Sequence, residues 1–213
     1  MTRFILVRHG QTEWNADERV RGQMDIALDS TGLAQAEATA QRLVAEWKPA
    51  AVYCSPLRRA VQTAQAAAVK LGQEPQLVPE FTDMSFGAWQ GLRAHEIEEG
   101  WPELAHAWMR APHTVTFPGG ESLDGVRERA MPALRLLIER HAGEEIVIVA
   151  HTVVNRVLLC AVIGIDNSNY WRIGQDTCAI NVIDWQGGQF IIQSLNDTSH
   201  LRPNSPYIRG LAL

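Results

Sequence analysis

Two short, unbroken apolar runs constrain this chain more than any other feature: Phe4-Ile5-Leu6-Val7 near the start and Ile146-Val147-Ile148-Val149-Ala150 far downstream. Both are rich in strand formers and neither alternates with polar residues, so each reads as a strand buried on both faces, as in a parallel sheet. Each run also stops abruptly at a histidine, His9 behind Arg8 and His151 ahead of Thr152. Ligands of open α/β sheets bind at the carboxyl edge, where the strand-to-helix loops converge. Two such strand ends can face one pocket. A third piece, Ser55-Pro56-Leu57-Arg58-Arg59, follows the strand-like Ala51-Val52-Tyr53-Cys54 and opens a helix, bringing basic side chains to the same edge.

The rest of the chain keeps a strand-helix rhythm with one departure. Asp29 or Ser30 caps a helix whose apolar positions Leu33, Ala36, Ala40, Leu43, Val44 and Trp47 recur at helical spacing, and Pro49 stops it. A helix is expected over 57–71, ended by Gly72, and a short strand over 76–79. Ser122 caps a long helix through Ile138, closed by Gly143 and interrupted by Pro132. A further helix over 153–163 follows the second apolar run, and a terminal hairpin pairs 178–185 with 189–195 through Gly187-Gly188. The stretch 80–121, with Trp89, Trp101, Trp108 and several prolines, breaks the rhythm and reads as an insertion covering the pocket. The expected fold is α/β: a mainly parallel sheet flanked by helices on both faces, with this cap-like insertion over the carboxyl edge. A length of 213 residues fits a single domain, 1–213, with a sizeable core.

Composition removes several classes of function. With 46% hydrophobic and 20% charged residues the chain is an ordinary globular protein. Its net charge of −5 argues against nucleic acid as a partner. It does not oppose an anionic substrate, because a pocket can be locally positive. No leader-like segment precedes the first strand, and the longest apolar run, Val157 to Ile165, is too short to span a bilayer. A cytoplasmic protein without a membrane partner is expected; a homodimer is compatible with everything above. Cys54, Cys160 and Cys178 are widely spaced within apolar patterns and read as buried free thiols.

At the first strand end, Arg8, His9, Gly10, Gln11, Thr12 and Asn15 form a set suited to an oxyanion with a nucleophile inside it. The long polar loop over 13–29 adds Arg21, Gly22 and Gln23 as candidates for substrate binding, since long ordered loops in compact domains tend to be functional. Five stretches in order, Leu6 to Thr12, Ser55 to Ala64, Phe86 to Gly91, Gly119 to Ser122 and Ala150 to Thr152, resemble the histidine phosphatase superfamily, in its cofactor-dependent phosphoglycerate mutase-like branch. The resemblance spans roughly residues 3–200.

That resemblance implies a phosphohistidine mechanism with neither metal nor cofactor. His9 is the implied nucleophile, and its neutral form is favoured by neighbouring positive charge. Arg8 and Arg58 are expected to hold phosphoryl oxygens in planar forks, with Arg59 turned to solvent. His151 would face His9 across the phosphoryl group, and Thr152 would offer its N–H and hydroxyl. Asn15 and Gln23 match positions that contact the phosphoryl group in the family. The family's proton donor is a glutamate four residues before the glycine of the Phe-Gly-x-Trp stretch, and here that position is Asp83. Aspartate is shorter by one methylene, roughly 1 Å, so the substrate or backbone must sit closer. Glu80 is the rival.

The implied activity is hydrolysis of a small phosphomonoester, with phosphoglycerate mutase as the alternative and a non-catalytic phosphometabolite binder third. A mutase needs extra basic residues over the pocket, and 80–121 offers Arg93 and Arg110 but no paired arginines. Among hydrolases, the stretch Pro112 to Ser122 and the run from His151 to Cys160 resemble metal-independent phosphoserine phosphatases. α-Ribazole phosphate and sugar or glycerate phosphates are the other substrates the resemblance allows. Trp89, Arg93, His106, Trp108, His113 and Thr116 would shape specificity from the cap if they turned inward, and His200 could approach the pocket from the tail.

Overall fold

The computed structural model describes residues 1–201, so the part of the expected domain over 202–213 lies outside the described residues. A six-stranded sheet runs through the centre: β1 (Thr2–Arg8), β2 (Ala51–Cys54), β3 (Gln76–Leu77), β4 (Glu145–Ala150), β5 (Ile180–Gln186) and β6 (Gln189–Asp197), in the order β3-β2-β4-β1-β5-β6. The first four are mutually parallel where they pair. β5 is antiparallel to β1, and β6 to β5. The fold class is therefore the expected mainly parallel α/β sheet, extended on one side by the terminal hairpin. β1 and β4 are neighbours, with Arg8 level with Ala150, and this register is what brings His9 and His151 together.

Alternation along each strand divides the interior in two. Ile5, Val7, Val52, Cys54, Val147 and Val149 face α2 (Ser30–Glu46) and α3 (Arg58–Leu71), whose contacting residues are largely alanines, so these helices pack close to the sheet. Phe4, Leu6, Tyr53, Ile146 and Ile148 face α6 (Leu123–Arg140) and α7 (Thr152–Ile163). Asp29 caps α2 by accepting from Gly32 N, and Ser122 caps α6 by accepting from Gly125 N, each meeting one of the free N–H groups of a helix start. Pro132 sits inside α6 without ending the helix.

A single helical turn, α1 (Glu13–Ala16), lies in the separate loop between β1 and α2, and the stretch between β3 and α6 carries two short helices, α4 (Ala94–Gly100) and α5 (Pro102–Arg110). Its aromatic residues are not surface features: Trp89 and Trp108 are buried, and both pack edge-on against Phe117 at 4.8 and 5.1 Å. Trp108 also meets Tyr170 at 5.2 Å, joining this segment to the turn after α7. Cys54, Cys160 and Cys178 are buried and free. Among the described residues no helix is long and apolar enough to cross a membrane.

Two expectations shift in detail. The edge strand is only Gln76–Leu77, because Val78 turns to donate to Cys54 O and a 3₁₀ turn begins at Pro79. β5 begins at Ile180, since Cys178 occupies a left-handed turn (φ 53°) before it.

Candidate active site

β1 delivers Arg8 and His9 to the carboxyl edge, both buried. Nδ1 of His9 lies 2.6 Å from the carbonyl of Gly10, an arrangement in which Nδ1 carries the proton and Nε2 keeps its lone pair. Burial, then the charges of Arg59, Arg8 and Arg21, hold this imidazole well below its ordinary pKa, so it is neutral at neutral pH. The backbone here is pinned from two sides. Gly10 N donates to Thr63 Oγ1 of α3, and the Gly10 Cα abuts the start of α2, where an added Cβ would meet Gly32 O at 2.6 Å. Gly32 has the reciprocal constraint against Gln11 O.

α3 supplies the cation nearest His9, and it is Arg59. This corrects the expectation that Arg58 enters the pocket while Arg59 faces solvent. The Arg58 side chain is 60% exposed and pairs with Asp25 at 3.5 Å, whereas that of Arg59 is fully buried. Arg59 donates from Nε to His9 Nε2 (3.3 Å), from Nη2 to Asp83 Oδ2 (3.0 Å) and Gly22 O (2.7 Å), and from Nη1 to Met24 O (2.8 Å). The physical reason is helical phase. The buried stripe of α3 is Arg59, Ala60, Thr63, Ala64, Ala67 and Ala68, and Arg58 falls off it.

Asp83 lies opposite, buried, with Oδ1 accepting from Met84 N at 3.0 Å. Burial raises its pKa against the lowering pull of Arg59 and Arg21. Glu80 is exposed, and Arg129 donates to its backbone carbonyl. β4 ends at His151, whose ring centroid lies 5.2 Å from that of His9 and whose Nδ1 lies 3.6 Å from Asp83 Oδ2. Burial, then Arg59 and His9, keep His151 neutral as well.

Around these four groups the other candidates divide. Arg8 is anchored by Nη1 to Gln175 O at 2.6 Å, and its Nε has no partner among the described residues. Arg21 is buried near Arg8, Arg59 and Asp83, also with an unpartnered Nε. Burial brings Arg8 down to about 10 and Arg21 to about 9, the neighbouring guanidiniums adding to the effect, so both remain cationic at neutral pH. Thr152 opens α7 with a buried, unpartnered hydroxyl. Gly22 sits at φ 49° with its carbonyl on Arg59, and a Cβ there would strike the Gln90 side chain.

Asn15 and Gln23 are engaged by protein groups beside the site. Asn15 accepts from Thr12, and exposed Gln23 donates to the Asp83 backbone carbonyl. His200 lies against α2: Thr39 spends its own proton on Gln35 O, so His200 Nε2 donates to Thr39 Oγ1 at 3.0 Å, away from the pocket. Arg93 pairs with Asp17 on the surface, and Arg110 is exposed.

Two residues were given no role in the sequence reading. Arg156 of α7 is buried between Tyr170 and Trp171 (4.9 and 5.1 Å), and its charge reaches Arg8. A cation inside the apolar stretch of α7 was the available signal. Ser55, fully buried at the end of β2, lies 2.7 Å from His151 Nε2. Among the described residues no group of three or more His, Cys, Asp or Glu side chains is gathered as a metal site.

Fold and pocket together define an α/β protein whose carboxyl-edge cavity sets two neutral imidazoles and one carboxyl group among buried guanidiniums. The chain belongs to the histidine phosphatase superfamily (branch 1), whose profile matches residues 4–198. It is 36% identical over 205 residues to phosphoserine phosphatase 1 of Hydrogenobacter thermophilus, covering 94% of this chain and 95% of the relative. It is 37% identical to a metal-independent phosphoserine phosphatase of Arabidopsis thaliana, covering 94% and 84%. The solved structure of Bacillus stearothermophilus YhfR superposes with a TM-score of 0.90 at 29% identity, covering 94% of this chain and all of that one.

Proposed function

We propose that this protein hydrolyses small phosphomonoesters through a phosphohistidine on His9, using no metal. The observation that carries the reading is the orientation of His9: Nδ1 is held by Gly10 O, so Nε2 faces the cage made by Arg59, His151 and Asp83. A neutral imidazole with a free lone pair is a competent nucleophile toward phosphorus.

In the first half-reaction His9 Nε2 attacks phosphorus and the ester P–O bond breaks. Asp83, kept protonated more readily by its burial, gives its proton to the departing alkoxide. Arg59 moves its Nε donation from His9 to a phosphoryl oxygen, and Arg8 and Arg21 have unspent Nε–H groups to add. In the second half-reaction the Asp83 carboxylate takes a proton from water, whose oxygen attacks the phosphohistidine. The P–N bond breaks, inorganic phosphate leaves, and His9 and Asp83 return to their starting states.

Hydrolysis rather than transfer to a second phosphoester is supported by Arg93 and Arg110, neither of which turns into the pocket. The substrate class is a phosphorylated small metabolite, with phosphoserine first among candidates because two similar proteins are named for it; α-ribazole phosphate and sugar or glycerate phosphates follow. Segment 80–121 acts as the cap of a single domain. A cytoplasmic setting belongs to this reading, as does a partner list confined to the substrate and, at most, a second copy of the chain; the net charge of −5 supports leaving out nucleic acid.

The test is release of inorganic phosphate from a panel of phosphomonoesters with and without exhaustive chelation, combined with acid-labile labelling. Turnover should survive chelation, and label should appear on the wild type but not on His9→Ala, which should have no measurable turnover. Label retained by His9→Ala, or turnover restored only by a divalent ion, overturns the reading.

A further inference from the structure

The two histidines of the pocket are held by opposite ring nitrogens. His9 is fixed through Nδ1 by Gly10 O, whereas His151 is fixed through Nε2 by the hydroxyl of Ser55 at 2.7 Å, leaving its Nδ1 buried, without a hydrogen-bond partner, and directed at Asp83. A neutral imidazole has one N–H and one lone pair, so which of the two His151 shows to the pocket depends on where the Ser55 proton goes.

Counting donors and acceptors settles that. Ser55 Oγ accepts from Leu57 N at 3.3 Å, and among the described residues the one other group within hydrogen-bond reach of it is His151 Nε2. If Nε2 carried the proton, the buried serine would accept twice and its own O–H would have no acceptor. The lone pair of Nδ1 would then point at a carboxyl oxygen and at any bound anion. If instead the serine O–H donates to Nε2, every group on that side is satisfied, and Nδ1–H faces the pocket. Buried polar groups are nearly always paired, which selects the second arrangement.

We propose that Ser55 is a positioning residue that fixes the Nδ1–H tautomer of His151, so that His151 serves the pocket as a hydrogen-bond donor to phosphoryl oxygen. The inference rests on the hydrolase reading for its consequence but not for its geometry. Within the pocket the neutral rings then divide the work: His9 presents a lone pair to phosphorus, and His151 presents an N–H to oxygen. Ser55 itself touches neither substrate nor reacting atoms.

The experiment is a long-range proton–nitrogen spectrum of the histidine-labelled wild type, Ser55→Ala and Ser55→Thr, with kcat and KM for an aryl phosphate on the same samples. In the wild type His151 Nδ1 should be protonated and Nε2 pyridine-like. Ser55→Ala should move the ring toward the Nε2–H form that free imidazole favours and lower kcat/KM roughly tenfold to a hundredfold, the range seen when a partner orienting a functional histidine is removed. Ser55→Thr, which keeps the hydroxyl, should keep both the tautomer and most of the activity. A wild-type His151 protonated on Nε2, or a Ser55→Ala protein with an unchanged tautomer, overturns the proposal. The wild-type spectrum alone decides if Ser55→Ala does not fold. A protein with the expected tautomer that hydrolyses no phosphomonoester sinks the hydrolase reading and leaves the Ser55 assignment standing.

Discussion

The same parallel strands carry a buried polar cluster at each end, and the two are built to different rules. At the amino edge, Thr2 Oγ1 donates to His141 O and accepts from Gly143 N, Tyr53 Oη lies 2.8 Å from His141 Nε2, and His141 Nδ1 lies 2.7 Å from Glu144. Each side chain there has a partner from the protein. At the carboxyl edge, Arg8 Nε, Arg21 Nε, His151 Nδ1 and the Thr152 hydroxyl are buried with no partner among the described residues. Leaving such groups unpaired costs about 1–3 kcal/mol apiece, and four of them converge on one strand edge here. The amino-edge cluster ties α6 to the sheet, whereas the carboxyl-edge cluster is the one the proposed hydrolysis uses.

Mutation should separate the two ends. The largest effect is expected at Asp83: Asp83→Asn should slow hydrolysis of an alkyl phosphate by roughly 10²–10⁴-fold, the range for losing general acid catalysis, and slow an aryl phosphate much less. Glu80→Gln should do neither. Leaving-group dependence appearing in the Glu80 variant instead would move the acid three residues upstream.

Next comes Arg59→Gln, for which a fall in kcat of about 10²–10³-fold is expected from losing a donor to developing negative charge. Arg58→Gln, altering an exposed side chain, should leave the rate near wild type. Equal losses in the two variants would return Arg58 to the site.

Acidification gives a smaller, graded effect. His9 and His151 have folded-state pKa values well below the unfolded value near 6.5, so as pH drops below about 6.5 the unfolded chain gains protons that the folded chain refuses. Stability should therefore fall by up to about 1.4 kcal/mol per pH unit for each histidine. Asp83 acts in the opposite sense, its raised pKa lowering stability as pH rises above its unfolded value of 3.8. Urea midpoints at pH 7 and pH 5 measure the sum. His151→Asn should reduce the destabilisation at pH 5 relative to pH 7 and Tyr53→Phe should not; if His151→Asn leaves the pH dependence unchanged, that imidazole is not held neutral.

The smallest effect belongs to the amino edge. Tyr53→Phe removes the partner of His141 Nε2 and should cost about 1 kcal/mol of stability with kcat and KM unchanged. A selective loss of turnover would mean that the two clusters communicate along the strands.

How far sequence could reach follows from the range of the forces involved. The ends of β1 and β4 were legible because a strand buried on both faces must be apolar, and a histidine at its last residue stands out against that background. Asp83 was reached through the family resemblance, by its register with Phe86-Gly87, and Ser122 through its place ahead of an apolar helix. Arg58 against Arg59 was not read correctly, although the alanine stripe of α3 held the answer: a one-residue step on a helix turns a side chain by about 100°. The orientation of Gln23 was not legible for a different reason, since its amide donates to the Asp83 carbonyl 60 positions away, whereas Asn15 is held locally by Thr12 three residues back. Ser55 and His151 lie 96 positions apart, and no local pattern joins them.

The contact between Gly10 and Gly32 bears on how tolerance to change should be interpreted. A Cβ on Gly10 would run into the Gly32 carbonyl and one on Gly32 into the Gln11 backbone, and Gly10 directly follows His9. In a library sampling every residue at every position, Gly32 should be as depleted of variants as His9 although it handles no proton and meets no phosphate. Intolerance at the two positions has different sources, one in volume and the other in bond making. Only a measurement of folding alongside turnover tells them apart, since a Gly32→Ala protein loses both together and a His9→Ala protein loses only the second.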